Sequence, residues 1–273
     1  MPDKSASPAG ETAHHFNRTV YWATIQATAR NQRRPPPMAP TAHCYFFGTF
    51  NPLHIGHLTM ATLAVAQLGP AMGFDRVVFI PAYNPPNKAG APDITPFARR
   101  LAILERCIED DPRLGLSAVE WQYRQNHPAE AGTGLPEPPV YTADILATLE
   151  PGLRTENKEN EKPILLMGAD TLATLAGWRG VADWLPACRL IIAPRTGFSL
   201  TPPEDLPRQP AAMAVLEVPP LDISATWLRQ QLERSAARSP AEHPLRYLVP
   251  RAVLEQWPLP TPLKAPAHSA AVL

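Results

Sequence analysis

Short apolar runs alternate with helix-type patterns along the chain from residue 43 onward. Four runs of apolar residues predict buried strands, at 44–47, 77–80, 164–167 and 189–192. Apolar residues at helical spacing follow the first two runs, over 58–68 and 97–108. Continuous apolar strands separated by helices indicate a parallel sheet that is covered on both faces, so we predict a doubly wound α/β fold.

Weaker patterns extend this alternation toward the C-terminus. Further strands are predicted at 114–119 and 215–218, and further helices at 141–149, 226–233 and 253–257. Thr95 is a good N-cap and Pro96 a good first helical residue for the helix over 97–108. Ligands of parallel sheets bind outside the carboxyl ends of the strands, and we therefore expect the chemistry there.

The chain divides into one domain and two flanking segments. Residues 1–41 are expected to form a disordered extension, with a basic docking arm as the alternative, and 258–273 a flexible tail. Prolines, 35 of 273 residues, are more than twice as frequent as the roughly 5% average and mark the loops between elements. Residues 42–257 are thus predicted to fold as a single domain.

Charge and cysteine content narrow the class of function. Lys plus Arg and Asp plus Glu both number 25, so the chain has no global attraction for nucleic acid or membranes, and a phosphate ligand needs a local site. The three cysteines suggest neither a disulfide framework nor a zinc site. The N-terminus has no apolar signal core, so a cytoplasmic protein is expected, and a homo-oligomer is compatible with the sequence.

The first candidate site follows the strand at 44–47. Gly48 allows a tight turn and a close approach of phosphate, and Thr49 and Phe50 offer backbone N–H donors. His54 and His57, three residues apart, share one face if a helix begins there. A helix N-terminus favours anions, so these groups are candidates for stabilising a phosphate as its charge grows.

A second candidate site lies near the C-terminal end of the domain. Ser224 and Thr226 place hydroxyls at a predicted helix start, and Arg229 offers a planar fork of donors for phosphate oxygens. Seen alone, this segment is also compatible with a capped surface helix.

Both segments match signatures of a known superfamily. Residues 48–57 closely resemble the GTFDPxHxGH signature of the nucleotidyltransferases, and 223–229 are similar to their ISSTxIR motif. The resemblance runs over about 44–257 and is closest to the nicotinate mononucleotide adenylyltransferases. The segments that carry this closer likeness are 85–88 (a PPHK loop), 141–142 (a Tyr-Thr pair), 168–172 (GxDxL, with a Trp following), 193–197 (an RPG turn) and 247–250 (YLhP).

The resemblance implies a Rossmann-like nucleotidyltransferase domain and a role for each matching residue. His54, His57 and Arg229 would be catalytic. ATP would be held by Gly48, Thr49, Phe50, Gly168, Asp170, Ser224 and Thr226, with Asp170 accepting from the ribose hydroxyls. Nicotinate mononucleotide would be held by Lys88, Thr142, Trp178 and Arg195. Simpler interpretations stay open for three of them: a solvated lysine for Lys88, an N-cap for Asp170 and a core aromatic for Trp178.

The implied reaction is adenylyl transfer from ATP to nicotinate mononucleotide, with Mg²⁺ arriving on ATP and no metal site built from side chains. Asn51 and Asn87 depart from the usual Asp and His of the family motifs. A related transferase acting on nicotinamide mononucleotide, phosphopantetheine or a cytidylyl acceptor is the first alternative. The second is a nucleotide-binding regulator without activity.

Overall fold

The computed structural model describes residues 42–85, 94–128, 138–153, 157–219, 221–235 and 239–256. The predicted extension at 1–41 and tail at 258–273 lie outside the described residues, as do Asn87 and Lys88. None of the helices within the described ranges has the length and apolar character required to cross a bilayer.

Six parallel strands form a single sheet in the described part of the chain, in the order β3-β2-β1-β4-β5-β6. The strands are β1 (Cys44–Gly48), β2 (Val77–Pro81), β3 (Leu114–Leu116), β4 (Ile164–Gly168), β5 (Arg189–Ala193) and β6 (Ala212–Val215). The strand order reverses direction between β1 and β4, which pair at Cys44 with Ile164 and at Tyr45 with Leu165. Sheets of this topology bind their ligands in the crevice at that reversal.

Eight α-helices lie within the described residues, six of them between strands and two after β6. They are α1 (Ile55–Met72), α2 (Phe97–Ile108), α3 (Val119–Asn126), α4 (Thr142–Leu149), α5 (Ala169–Leu172), α6 (Val181–Trp184), α7 (Ala225–Arg234) and α8 (Arg251–Glu255). Short 3₁₀ turns at Glu159–Glu161, Leu175–Gly177 and Leu185–Ala187 complete the connections.

The sheet is buried on both faces, as the apolar runs predicted. Alternate residues of one strand belong to different cores: Leu166 packs in the cluster with Phe46, Ala61 and Leu104, whereas Leu165 packs in the cluster with Ile145. A third cluster joins α7 and α8 to α2. The doubly wound α/β fold expected from the sequence is therefore confirmed.

Several boundaries differ from the sequence prediction. The N-cap of α2 is Pro96, one residue later than predicted, because buried Thr95 donates its N–H to Asn51 Oδ1 (3.4 Å) and its carbonyl accepts from Arg100 (2.9 Å). Strand β6 lies three residues earlier than predicted, since its pairing with β5 begins at Ala212. Helix α3 was not predicted, and it begins where the predicted third strand was expected to end.

Candidate active site

A cavity of about 320 Å³ lies at the carboxyl ends of β1, β4 and β5, on the crevice where the strand order reverses. Segments from both sequence motifs form its walls. Most of the site residues predicted from the sequence line it: Thr49, Phe50, His54, His57, Gly168, Asp170, Arg195, Ser224 and Thr226. Two segments far apart in sequence thus meet at one site.

The turn after β1 is shaped by Phe50 folding back over Gly48. Phe50 has a left-handed backbone (φ +46°) and a buried ring that packs against Phe46 (centroids 5.3 Å apart) and Phe79 (5.2 Å). A Cβ on Gly48 would lie 2.8 Å from Phe50 Cζ. Gly48 is therefore needed to make room for the Phe50 ring, in addition to any phosphate that approaches the turn.

The two histidines occupy the first turn of α1, as the spacing predicted. His54 is the N-cap, and its backbone N–H donates to His57 Nδ1 (3.3 Å). The two rings stack with centroids 3.7 Å apart. A Cβ on Gly56 would come within 3.0 Å of His54 Nδ1, so glycine at this position lets the His54 ring lie against the helix.

Both imidazoles are neutral at physiological pH. Burial, together with the nearby Arg195 charge, lowers the pKa of His54 from 6.5 to about 4. Burial, His54 and Arg195 lower the pKa of His57 well below its ordinary value. Because His57 Nδ1 accepts a backbone hydrogen bond, the ring proton is assigned to Nε2, where it is available to a ligand as a neutral donor.

An ion pair between residues that follow β4 and β5 lies in the cavity wall. Arg195 Nη1 donates to Asp170 Oδ2 at 2.6 Å. Gly168, at the end of β4, is in close contact with this carboxylate, because a Cβ there would collide with Asp170 Oδ1. Sequence reasoning assigned Asp170 and Arg195 to different ligands, whereas the structure places them together in one cavity.

The second motif contributes the start of α7. Ser224 is the N-cap, and its Oγ accepts from the N–H of Trp227 (3.4 Å). Buried Arg229 lies behind the cavity wall and donates to the carbonyl of Asn51 (2.8 Å) and to Thr226 Oγ1 (3.4 Å). These contacts join the second motif to the turn that carries the first.

Comparison with known proteins agrees with this geometry. The family model described as cytidylyltransferase-like matches residues 45–231. The chain belongs to the cytidylyltransferase-like family. A probable nicotinate-nucleotide adenylyltransferase of Roseiflexus sp. (strain RS-1) is 33% identical, over 76% of this chain and 90% of its own length. One from Thermomicrobium roseum is 32% identical, over 77% and 86%.

Solved structures show the same fold at low identity. The Plasmodium falciparum nicotinic acid mononucleotide adenylyltransferase complexed with APC superposes with a TM-score of 0.55 at 14% identity, covering 79% of this chain and 93% of that one. The same enzyme complexed with NaAD gives 0.51 at 15% identity, covering 80% and 97%. The family model and the sequence relatives confirm the family resemblance drawn from the motifs, and within the family the chain belongs with the nicotinate-nucleotide adenylyltransferases.

Two residues that the family likeness assigned to the substrate lie outside this cavity. Thr142 is the first residue of α4, and the Trp178 indole donates to Thr174 Oγ1 (3.2 Å). Trp178 packs in the hydrophobic cluster on the face of the sheet opposite α1. Arg179, which sequence reasoning missed, connects the two segments, since its guanidinium lies 4.8 Å from the Tyr141 ring centroid.

Sequence reasoning also missed two buried charged residues, Arg100 and Glu120. Arg100 donates to the carbonyl of Thr49, a cavity residue, at 2.9 Å. Glu120 Oε2 accepts from the N–H of Tyr83 (2.7 Å), and burial raises its pKa from 4.5 to about 7. A signal for Arg100 exists in the sequence, because it follows Phe97 by three residues on the apolar stripe of α2.

Magnesium is expected to come with ATP. Among the described residues, no group of three or more His, Cys, Asp or Glu side chains is arranged to hold a metal ion. Asp170 is the sole carboxylate among the described residues that line the cavity, and it is paired with Arg195. This donor set fits a cation that keeps most of its ligands on phosphate and water.

Proposed function

We propose that the protein transfers the adenylyl group of ATP to nicotinate mononucleotide, as a step of NAD biosynthesis. A 5′-phosphate oxygen of the mononucleotide attacks the α-phosphorus of ATP. The bond from that phosphorus to the bridging oxygen of the β-phosphate breaks, so pyrophosphate leaves and nicotinate adenine dinucleotide forms. The observation that carries the proposal is the convergence of both motifs on one cavity at the strand reversal.

The chemistry needs positioning and charge stabilisation more than a protein nucleophile. The attacking phosphate is already an anion, so no general base is required. His57 Nε2–H and the N–H groups of the Thr49 turn would stabilise negative charge as it grows on the transferred group. Neutral histidines suit this role, because they donate hydrogen bonds without giving up a proton.

The remaining residues would orient ATP. We propose that Ser224 and Thr226 contact the departing phosphates, with Arg229 behind them, and that Asp170 accepts from the ribose hydroxyls. Bound Mg²⁺ would neutralise charge on the phosphates. Asp170 could exchange Arg195 for the ribose, because their ion pair is partly exposed to solvent.

The nicotinate ring of the mononucleotide would lie beside Thr142 and Trp178. The contact of Arg179 with Tyr141 supports this assignment, since it brings the two segments side by side. A role for Lys88 remains a prediction from the sequence, as do the cytoplasmic location and the oligomeric state.

Pyrophosphate release is the deciding measurement. The protein is incubated with ATP and Mg²⁺, and nicotinate mononucleotide, nicotinamide mononucleotide, phosphopantetheine and a cytidylyl acceptor (with CTP) are each offered in turn. We expect release with nicotinate mononucleotide at a rate well above the others. Release with another acceptor would identify a related transferase, and ATP binding without any release would identify a regulator.

A matched pair of histidine variants tests the site. His57→Ala should lower kcat by about 10²–10³-fold, because it removes one preorganised donor. His43→Ala is the control, since His43 is exposed and bonds Glu150 (2.8 Å) at the amino end of β1. Near wild-type turnover of the His57 variant would contradict its catalytic role.

A further inference from the structure

Arg100 is a buried cation whose three guanidinium nitrogens all donate to backbone carbonyls. The residue is 2% exposed. Nε donates to Thr95 (2.9 Å), Nη1 to Thr49 (2.9 Å), and Nη2 to Ala82 (2.6 Å) and Tyr83 (3.4 Å). Burial lowers the pKa of Arg100 to about 10, which leaves it charged at neutral pH. One guanidinium therefore connects the turn after β1, the end of β2 and the segment before α2.

The contact with Thr49 fixes the direction of a peptide group in the cavity wall. In a trans peptide the carbonyl of one residue and the N–H of the next point in opposite directions. Since the Thr49 carbonyl points at Arg100, the N–H of Phe50 points away from it. Thr49 and Phe50 both line the cavity, so this geometry directs the donor to the cavity side.

Phe50 needs this support because its backbone is unfavourable. A left-handed conformation (φ +46°) is uncommon for a bulky residue and persists only where the surroundings hold it. The ring is held by Phe46 and Phe79, and the preceding peptide is held by Arg100. The end of β2 is tied to the same turn, since Ala82 N–H donates to the Gly48 carbonyl (2.9 Å).

We propose that Arg100 is a positioning residue for adenylyl transfer, which orients the Thr49–Phe50 peptide so that Phe50 N–H faces the phosphates of ATP. This inference rests on the proposed function for its catalytic consequence. The positioning role requires a guanidinium group, because a lysine ammonium is a compact point charge that cannot reach the same set of carbonyls.

The test compares Arg100→Lys and Arg100→Met with Arg189→Met. Arg189 is a matched control: it is also buried and donates to the carbonyls of Lys162 (2.8 Å) and Asn160 (3.4 Å), but at the amino ends of the strands. We expect Arg100→Lys to lower kcat by about 10²-fold, as misplaced catalytic groups do. KM for ATP should change by about 3-fold at most, since the lost donor acts mainly in the transition state. Arg189→Met should lower Tm and leave kcat unchanged.

A second readout does not depend on turnover. The protein has eight phenylalanines, so a ¹⁵N-Phe sample gives a simple spectrum in which Phe50→Tyr assigns the Phe50 amide. Adding Mg²⁺ and a non-hydrolysable ATP analogue should shift this amide in the wild type and in Arg189→Met. In Arg100→Lys the shift should be lost, although calorimetry should still detect binding of the analogue.

The outcomes separate the two proposals. A persistent Phe50 shift in Arg100→Lys, or a kcat within about 3-fold of wild type, would overturn the positioning role. If Arg100→Met does not fold, Arg100→Lys decides. In a third outcome, the wild type shows the Phe50 shift and Arg100→Lys loses it, but no acceptor gives pyrophosphate release. This result would refute the proposed function and still support the positioning of Phe50.

Discussion

An alanine at position 48 would test how tightly the turn after β1 is packed. The added Cβ would lie 2.8 Å from Phe50 Cζ, 2.9 Å from Cε1 and 3.2 Å from Cε2, all shorter than the ~3.5–4.0 Å of a favourable carbon contact. The ring has little room to move, because Phe46, Phe79 and His57 surround it with centroids 5.3, 5.2 and 5.1 Å away.

The expected cost follows from two opposing terms. Overpacking of a filled core costs about 1–3 kcal/mol. Replacing glycine with alanine also lowers the conformational entropy of the unfolded chain. This stabilises the fold by about 0.4–1 kcal/mol where alanine can adopt the native backbone conformation without strain. Gly48 lies at the end of a strand and is not among the glycines with positive φ, so this second term applies. Gly48→Ala should therefore destabilise the fold by about 1–2 kcal/mol.

Urea unfolding at 25 °C measures this change, with Gly177→Ala as the control. A Cβ on Gly177 meets no described atom within 4 Å, so that variant should be neutral or slightly more stable than wild type. A Phe50→Leu background lacks the ring atoms that clash, and there Gly48→Ala should cost less, by about 1 kcal/mol in a double-mutant cycle. Two results would refute the explanation: equal stability of the two alanine variants, or the same loss of stability from Gly48→Ala in the wild-type and Phe50→Leu backgrounds.

Three further predictions concern the charged and titrating groups. The pKa of His54 is lowered from 6.5 to about 4, so neutral His54 favours the fold above pH 6.5 and this contribution is lost as pH falls toward 4. His54→Asn should remove about 3 kcal/mol of that acid sensitivity in urea titrations over this range, and an unchanged pH slope would contradict the assignment. The pKa of Glu120 is raised from 4.5 to about 7, so its contribution to stability falls by about 3 kcal/mol as pH rises through that window, opposite in sign to the contribution of His54. Glu120→Gln should remove this contribution, so that stability rises more steeply with pH than in the wild type, and a slope equal to that of the wild type would contradict the prediction. Arg195→Ala should change stability by under about 1 kcal/mol, because its ion pair is partly exposed, yet NMR titration should show the pKa of His54 raised once that charge is gone.

The strands were predictable because both faces of the sheet are buried. Each of the four strong apolar runs corresponds to a strand with buried residues on both sides, and it ends within a residue of the position at which the run stops. Helix α3 was missed for the opposite reason. Its buried residues include Glu120 and Arg124, so an apolar periodicity search cannot detect its inward face.

The site was predictable where chemistry and motif coincide. The first and second motifs converge on the cavity as expected. Which residues bind one another there could not be inferred from the sequence. No spacing rule connects Arg195 with Asp170, or Arg100 with Thr49, because each pair is formed by the packing of separate elements. The positions of Thr142, at the start of α4, and of Trp178, on the sheet face opposite α1, could not be inferred either, because family likeness assigns a ligand to a residue but does not determine its place in the fold.

Two arginines bind the backbone carbonyls of the two residues that flank Phe50. Arg100 donates to the carbonyl of Thr49, and Arg229 donates to the carbonyl of Asn51. Phe50 is thus held between two guanidinium groups that come from different helices, α2 and α7. A residue in a strained conformation persists only where several independent contacts hold it, and here an arginine holds the backbone both before and after Phe50. This arrangement joins the second motif to the first: under the proposed function, Arg229 helps to keep the turn after β1 in the shape that would bind phosphate.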